Sequence, residues 1–196
     1  MIIDEKGLAR NLKYAYKHGG YTMTANDEQI IVYTDNWAIR VDWDKLPRKA
    51  LATIVEHIGL LPQSSDALFI EDGSDPQAVM PETVGEDVAI WCREAETTER
   101  ATIVPMAIQQ VQLFQDEGLR VYGIRSDFLG IVSGSAIRDM AANVMDNTLA
   151  NWSAEGEEIT LKAWRPTALY YPKKSHKAVW EALERVDLHM EAVSDE

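Results

Sequence analysis

Trp37-Ala38-Ile39-Arg40-Val41-Asp42-Trp43 is the stretch that decides the fold prediction. Its large apolar residues alternate with small or polar ones, which is the period-two pattern of a strand with one buried face. Residues 29–34 are rich in Ile and Val and precede it across the turn pair Asp35-Asn36. With residues 21–25, these stretches predict an antiparallel meander.

Helices are predicted on either side of this meander along the chain. Residues 4–18 begin with Asp4, a preferred N-cap, carry an apolar stripe at helical spacing and stop at Gly19-Gly20. Residues 47–59 open with a proline and carry a second stripe. A short strand over residues 67–70 follows.

The rest of the chain predicts a similar order. The expected elements are a strand at 88–92, a helix at 105–116, strands at 119–124 and 128–133, a helix at 135–152, a strand at 158–165 and a last helix capped by Ser175. From the first of these strands to the last, the order is βαββαβ, that of a ferredoxin-like fold. We therefore predict an α+β protein with a mostly antiparallel sheet and helices packed on one face. It forms one compact body over residues 1–196, with a pseudo-repeat of two ferredoxin-like halves, 1–75 and 85–196.

Composition indicates the class of protein and the cellular compartment. Its 196 residues are 46% apolar and 26% charged, as in ordinary globular proteins. The single cysteine, Cys92, excludes an internal disulfide and fits a reducing compartment. No signal-peptide pattern opens the chain, and no stretch approaches the ~20 apolar residues of a membrane helix. We expect a cytoplasmic protein without membrane contact.

The negative charge is concentrated in the middle third of the chain. The net charge is −13, and residues 61–120 hold twelve acids against three bases. One interpretation is a solubilising surface. The other is an acidic face that binds a basic protein, with the candidate residues Asp72, Asp75, Glu86, Asp87 and Glu94. Nucleic acid is disfavoured as a partner, because phosphate binding needs clustered Lys and Arg.

Ser133-Gly134-Ser135 is a candidate anion site. It is predicted to join a strand to a helix, with Arg138 in the first helical turn. Unpaired N–H groups and the helix dipole favour an anion at such a place, and Arg138 adds a charged fork. The alternative is an ordinary N-cap serine beside a turn glycine.

Two predicted helix starts carry basic residues and form a candidate basic patch. They are Arg48 with Lys49, and Lys173 with Lys174. Cations at a helix N-terminus oppose the macrodipole, so the patch favours either a phosphate ligand or pairing with nearby acids. Aromatic neighbours such as Trp43 and Tyr171 would support stacking on bases.

Motifs for common catalytic chemistry are missing from the sequence. It has no CxxC pair, HExxH, P-loop, GxGxxG or GxSxG pattern. No catalytic residue, metal or cofactor is predicted. The leading hypothesis is a non-catalytic interaction protein of the inhibitor or immunity type. The alternatives are a nucleic-acid or nucleotide binder and an enzyme for an anionic small substrate, and a homodimer through an exposed strand is a further option.

Overall fold

A computed structural model describes residues 1–91, 98–145, 148–164 and 174–189. Its helices are α1 Glu5–Lys17, α2 Arg48–Ile58, α3 Pro81–Trp91, α4 Ser126–Leu129, α5 Gly134–Asp139 and α6 Lys174–Leu183. Its first five strands are β1 Tyr21–Ala25, β2 Gln29–Tyr33, β3 Trp37–Asp42, β4 Ala67–Ile70 and β5 Gln77–Ala78. The others are β6 Thr98–Ile108, β7 Val111–Asp116, β8 Val121–Arg125, β9 Ala142–Met145, β10 Leu149–Ala154 and β11 Glu157–Lys162.

These strands form one sheet in the order β5-β4-β1-β2-β3-β11-β10-β9-β6-β7-β8. Every described strand pair is antiparallel. The predicted α+β class with an antiparallel sheet is therefore confirmed. Strand β3 lies near the middle, where Ile39 pairs with Val32 on one side and with Ile159 on the other.

The N-terminal predictions are confirmed closely. In β3, Trp37, Ile39 and Val41 are almost completely buried, as the alternation predicts. Helix α1 begins where predicted, because the Asp4 carboxylate accepts a hydrogen bond from the Gly7 N–H at 2.6 Å. The two helices, α1 and α2, pack with the meander in the main core.

Helices cover both faces of the sheet, which corrects the expected one-face packing. The main core holds Trp37 together with residues of α1, α2, α4 and α5 on the first face. On the second face, Trp91 of α3 packs with Tyr33 and Ala38. Further along that face, Trp180 of α6 packs with three fully buried residues, Val104, Leu113 and Val121.

Two predicted elements between residues 88 and 116 are wrong. Residues 88–91 end helix α3 and are not a strand, and Cys92 lies outside the described residues. Residues 105–116 form strand and not helix. The chain reverses at Gln109 and Gln110, both with positive φ, and Pro105 lies within an irregularity of β6 and starts no helix.

Two predicted elements between residues 128 and 152 are also wrong. Residues 126–129 are the short helix α4, so β8 pairs with β7 and has no hairpin with residues 128–133. The predicted long helix is α5 followed by strands β9 and β10. The last helix exists, and among its described side chains Trp180 is buried and the predicted Leu183 packs against the same cluster, whereas the predicted Val179 is 47% exposed.

The ferredoxin-like order is therefore wrong, yet the two halves share another order. In each half a three-stranded meander is followed by helix, and the next strand pairs with the first strand of the meander. This gives β4-β1-β2-β3 in the first half and β9-β6-β7-β8 in the second. Origin of the halves by duplication stays a prediction.

Candidate binding cleft at one end of the sheet

Two turns lie side by side at one end of the sheet. Because β1 and β2 are antiparallel, with Thr22 opposite Tyr33, the start of β1 adjoins the end of β2. The turn at residues 18–20 and the turn at residues 34–36 line a cleft of about 210 Å³. We call this space the edge cleft.

The turn between β2 and β3 is held by its own threonine. The Thr34 Oγ1 accepts hydrogen bonds from the N–H groups of Asn36, at 3.1 Å, and Trp37, at 3.3 Å. This is a local side-chain turn motif that fixes the backbone without help from elsewhere. Asp35 is exposed at the tip of this turn and lines the cleft.

The turn between α1 and β1 depends on Gly20. Its φ is +79°, and a Cβ there would lie 2.5 Å from the Phe69 ring and 2.8 Å from the Ile70 carbonyl oxygen. Only glycine allows β1 to leave the helix so close to β4. The Gly20 N–H also donates to the Ala15 carbonyl at 2.8 Å, which closes the end of α1.

Asp87 enters the cleft from α3, on the second face of the sheet. The Tyr33 hydroxyl donates to Asp87 Oδ2 at 3.2 Å. Burial is the main cause that raises the pKa of Tyr33, and Asp87 raises it further. The Tyr33 phenol therefore stays protonated at neutral pH. It donates the hydrogen bond that fixes the Asp87 carboxylate.

His18 also lines the cleft. Its ring stacks on Tyr14 with centroids 4.2 Å apart, and its Nδ1 lies 2.8 Å from the Tyr14 carbonyl oxygen. Because a carbonyl only accepts, Nδ1 carries the hydrogen, and the neutral ring has its lone pair on Nε2. The cleft thus combines two carboxylates with one imidazole.

The predicted acidic residues are placed around this end of the sheet. Asp72 and Asp75 are exposed in the loop after β4, and the Asp72 N–H donates to the Tyr16 carbonyl of α1 at 2.9 Å. Glu86 is exposed on α3 beside Asp87. Glu94 lies outside the described residues. We call Asp35, Asp72, Asp75 and Asp87 the acidic end.

Sequence reasoning missed Asp35 as a site residue. The sequence predicts only a turn at Asp35-Asn36, and Asp87, which also lines the cleft, is 52 positions away in the chain. The available signal was an acid at the tip of a confirmed hairpin. What the sequence did not show was that α3 crosses to the second face and meets that hairpin.

A basic side chain lies next to the cleft. Lys162, at the end of β11, lines a neighbouring hollow of about 200 Å³ together with Asp35, Asp87 and Trp91. Its ammonium group offsets part of the negative charge there.

The candidate anion site has the contacts of a helix cap. Ser133 Oγ accepts from the Ala136 N–H at 3.3 Å, and the Ser133 N–H donates to the Ile2 carbonyl. Arg138 is exposed and lies over Gly134. The helix that follows, α5, has six residues.

The described candidate basic residues lie on different faces of the sheet. Lys49 Nζ is 3.7 Å from a Glu5 carboxylate oxygen, and the Lys49 N–H donates to the same side chain. Arg48 is exposed at the start of α2, on the first face. Lys173 lies outside the described residues, and Lys174 begins α6, on the second face.

Comparison of the chain with protein-family models, with curated proteins and with solved structures finds no match. Within the described part of the chain, no group of three His, Cys, Asp or Glu side chains is arranged to hold a metal ion. None of the described helices has the length and apolar character to cross a membrane.

Proposed function

We propose that this is a non-catalytic interaction protein that binds a basic protein partner through its acidic end, as an inhibitor or immunity protein does. The observation that carries the proposal is that Asp35 and Asp87 line the edge cleft, while Asp72 and Asp75 are exposed in the loop after β4 at the same end of the sheet. The proposal assigns no metal, cofactor or catalytic residue. It places the protein in the cytoplasm, in keeping with its single cysteine.

The geometry suits recognition because the turn under Asp35 and the carboxylate of Asp87 are held before any partner arrives. Thr34 fixes the turn that carries Asp35, and the Tyr33 hydroxyl fixes Asp87. Groups that are already ordered lose little conformational entropy on binding. A surface of one sign also steers an oppositely charged partner and raises the association rate.

The other end of the sheet provides a matched control. Asp27, Glu28, Asp44 and Glu155 are exposed there, on turns after β1, β3 and β10. Neutralising these four residues changes the net charge by the same amount as neutralising the acidic end. A general effect of charge is thereby separated from a local one.

The experiment begins with capture of basic proteins from the native host by the wild-type chain. The affinity of the captured partner is then measured for two quadruple variants, Asp35→Asn/Asp72→Asn/Asp75→Asn/Asp87→Asn and Asp27→Asn/Glu28→Gln/Asp44→Asn/Glu155→Gln. We expect about a 100-fold loss for the first and about threefold for the second. The wild-type affinity should also fall as salt rises. Equal losses in the two variants would reject the acidic end as the binding surface.

A further inference from the structure

We infer that the edge cleft accommodates the side chain of one arginine from the partner. This inference rests on the proposed function and names the chemistry of the same site. In this inference the cleft binds a guanidinium group. Asp72 and Asp75 then contact the partner outside the cleft, on the surface that we call the rim.

The size of the cleft selects a single side chain. Its volume is about 210 Å³. Sites for drug-sized ligands are ~300–1,000 Å³, and a helix with its side chains is about 10–12 Å across. The cleft therefore suits one long side chain of a partner, and the rest of that partner would contact the rim.

The walls of the cleft match a planar, multiply donating cation. Asp35 belongs to the β2–β3 turn and Asp87 to α3, so the two carboxylates come from different elements. His18 also lines the cleft, and the neutral imidazole has an acceptor nitrogen. A guanidinium has five N–H donors in a fixed fork, whereas an ammonium is a compact point charge. Several acceptors on separate walls favour arginine over lysine.

Aromatic rings add a second reason to choose arginine. Tyr14 is 51% exposed and lines the cleft, where its ring is held by stacking on His18. Phe69 lies among the residues of the same lining. Guanidinium groups stack on aromatic faces more readily than ammonium groups do.

Lys162 gives the inference an independent test. Its side chain lines the neighbouring hollow with both carboxylates and competes with an incoming cation. Replacement by methionine, which keeps most of the aliphatic length, removes that charge. We expect Lys162→Met to strengthen binding of an arginine ligand about threefold, because like charges repel.

The probe is N-acetyl-arginine amide, titrated to millimolar concentration and followed by amide chemical shifts in NMR. The controls are N-acetyl-citrulline amide, which is neutral and of similar shape, and N-acetyl-lysine amide. We expect shifts at residues 18–22, 33–36 and 87 with the arginine probe, weaker shifts with lysine and none with citrulline. Asp35→Asn and Asp87→Asn should each weaken binding about tenfold, and Asp72→Asn less than twofold. Asp35 is exposed on its turn, so its variant should keep the native spectrum.

Equal binding of arginine and citrulline, shifts away from the cleft, or an unchanged affinity in the Asp35 and Asp87 variants would overturn the inference. Partner binding that is lost in the acidic-end variant while the arginine probe does not bind would reject the inference and leave the proposed function standing. Arginine binding in the cleft by a chain that captures no basic partner would reject the proposed function instead.

Discussion

Strand β1 of the first half and strand β8 of the second half bury their side chains differently. In β1, the residues alternate between buried and half-buried, with Met23 fully buried between Thr22 and Thr24. In β8, Val121 and Tyr122 are adjacent and both fully buried. The first pattern shows a strand covered on one face, and the second shows a strand covered on both.

Cover by α6 explains this difference. Tyr122 points into the main core on the first face, whereas Val121 packs under Trp180 on the second. An alternating sequence arises only where one face meets water. A strand buried on both faces is apolar throughout, and such a run resembles a buried helix in sequence.

The largest expected effect on stability comes from removing the Trp180 side chain, with which α6 covers the second face. Trp180→Ala should lower the free energy of unfolding by about 3–5 kcal/mol, because a buried indole is lost above Leu113 and Val121. Phe69→Ala, at a half-buried position on the second face of the first half, should cost less than about 2 kcal/mol. Urea denaturation of both variants measures the difference. Equal losses would show that the second face is covered alike at β4 and at β7–β8.

The next prediction concerns the junction of the halves. A Cβ on Gly7 of α1 would lie 1.5 Å from the Gly130 carbonyl oxygen, which belongs to the second half. Gly7→Val should therefore cost about 3 kcal/mol, since neither backbone can move without disturbing the other. Gly85→Ala is the control: outside its own helix, no described atom lies within 4 Å of a Cβ there, and α3 should gain about 0.5–1 kcal/mol. A stable Gly7→Val protein would contradict the described packing of α1 on α4.

The same contrast explains how much could be predicted from the sequence. The first four strands, α1 and α2 were predictable because their signals are local. These signals are the Asp4 cap, the glycines that end the two helices and the alternation of residues 37–43. The stripe of Val144 and Trp152 looked helical, but both residues are buried in strands β9 and β10. Packing against other parts of the protein, and not the local sequence, determines that these residues form strands.

The candidate site was only partly predictable for a related reason. Asp72, Asp75 and Asp87 were found from local charge density, which needs no knowledge of the fold. The position of Asp87 beside Asp35 depends on α3, whose last residues, 88–91, were predicted as part of a strand. A cleft between distant elements leaves no spacing pattern in the chain.

A smaller effect is expected in the β7–β8 hairpin. Asp116 is 5% exposed and accepts hydrogen bonds from the Arg120 N–H at 2.9 Å, Arg120 Nε at 2.7 Å and the Tyr122 hydroxyl at 2.9 Å. Asp116→Asn should cost about 2 kcal/mol in thermal or urea unfolding, because charge-assisted bonds are lost. The exposed pair Arg125–Asp127 is the comparison, and Asp127→Asn should cost at most about 0.5 kcal/mol. A cost for Asp116→Asn no larger than this would mean that the buried network adds little.

The smallest effect is a pH dependence in the first half. His57 Nδ1 lies 3.0 Å from the buried Tyr21 hydroxyl. Burial is the main cause that lowers the pKa of His57 from 6.5, and Lys13 adds to it, whereas Glu56 and Asp72 oppose it. The unfolded chain therefore binds the proton more readily, so stability should fall as the pH drops below 6.5. His57→Gln should flatten this slope in urea unfolding between pH 7.5 and 5, and an unchanged slope would remove His57 as its source.

The most direct test of the central claim compares the two ends of the sheet. The measurement is the ratio of the partner's Kd for the quadruple variant of the acidic end to its Kd for the quadruple variant of the opposite end. We expect this ratio to exceed about 30, because two carboxylates of the acidic end, Asp35 and Asp87, line the edge cleft. A ratio near one would contradict the account and reduce the negative charge to a solubilising role.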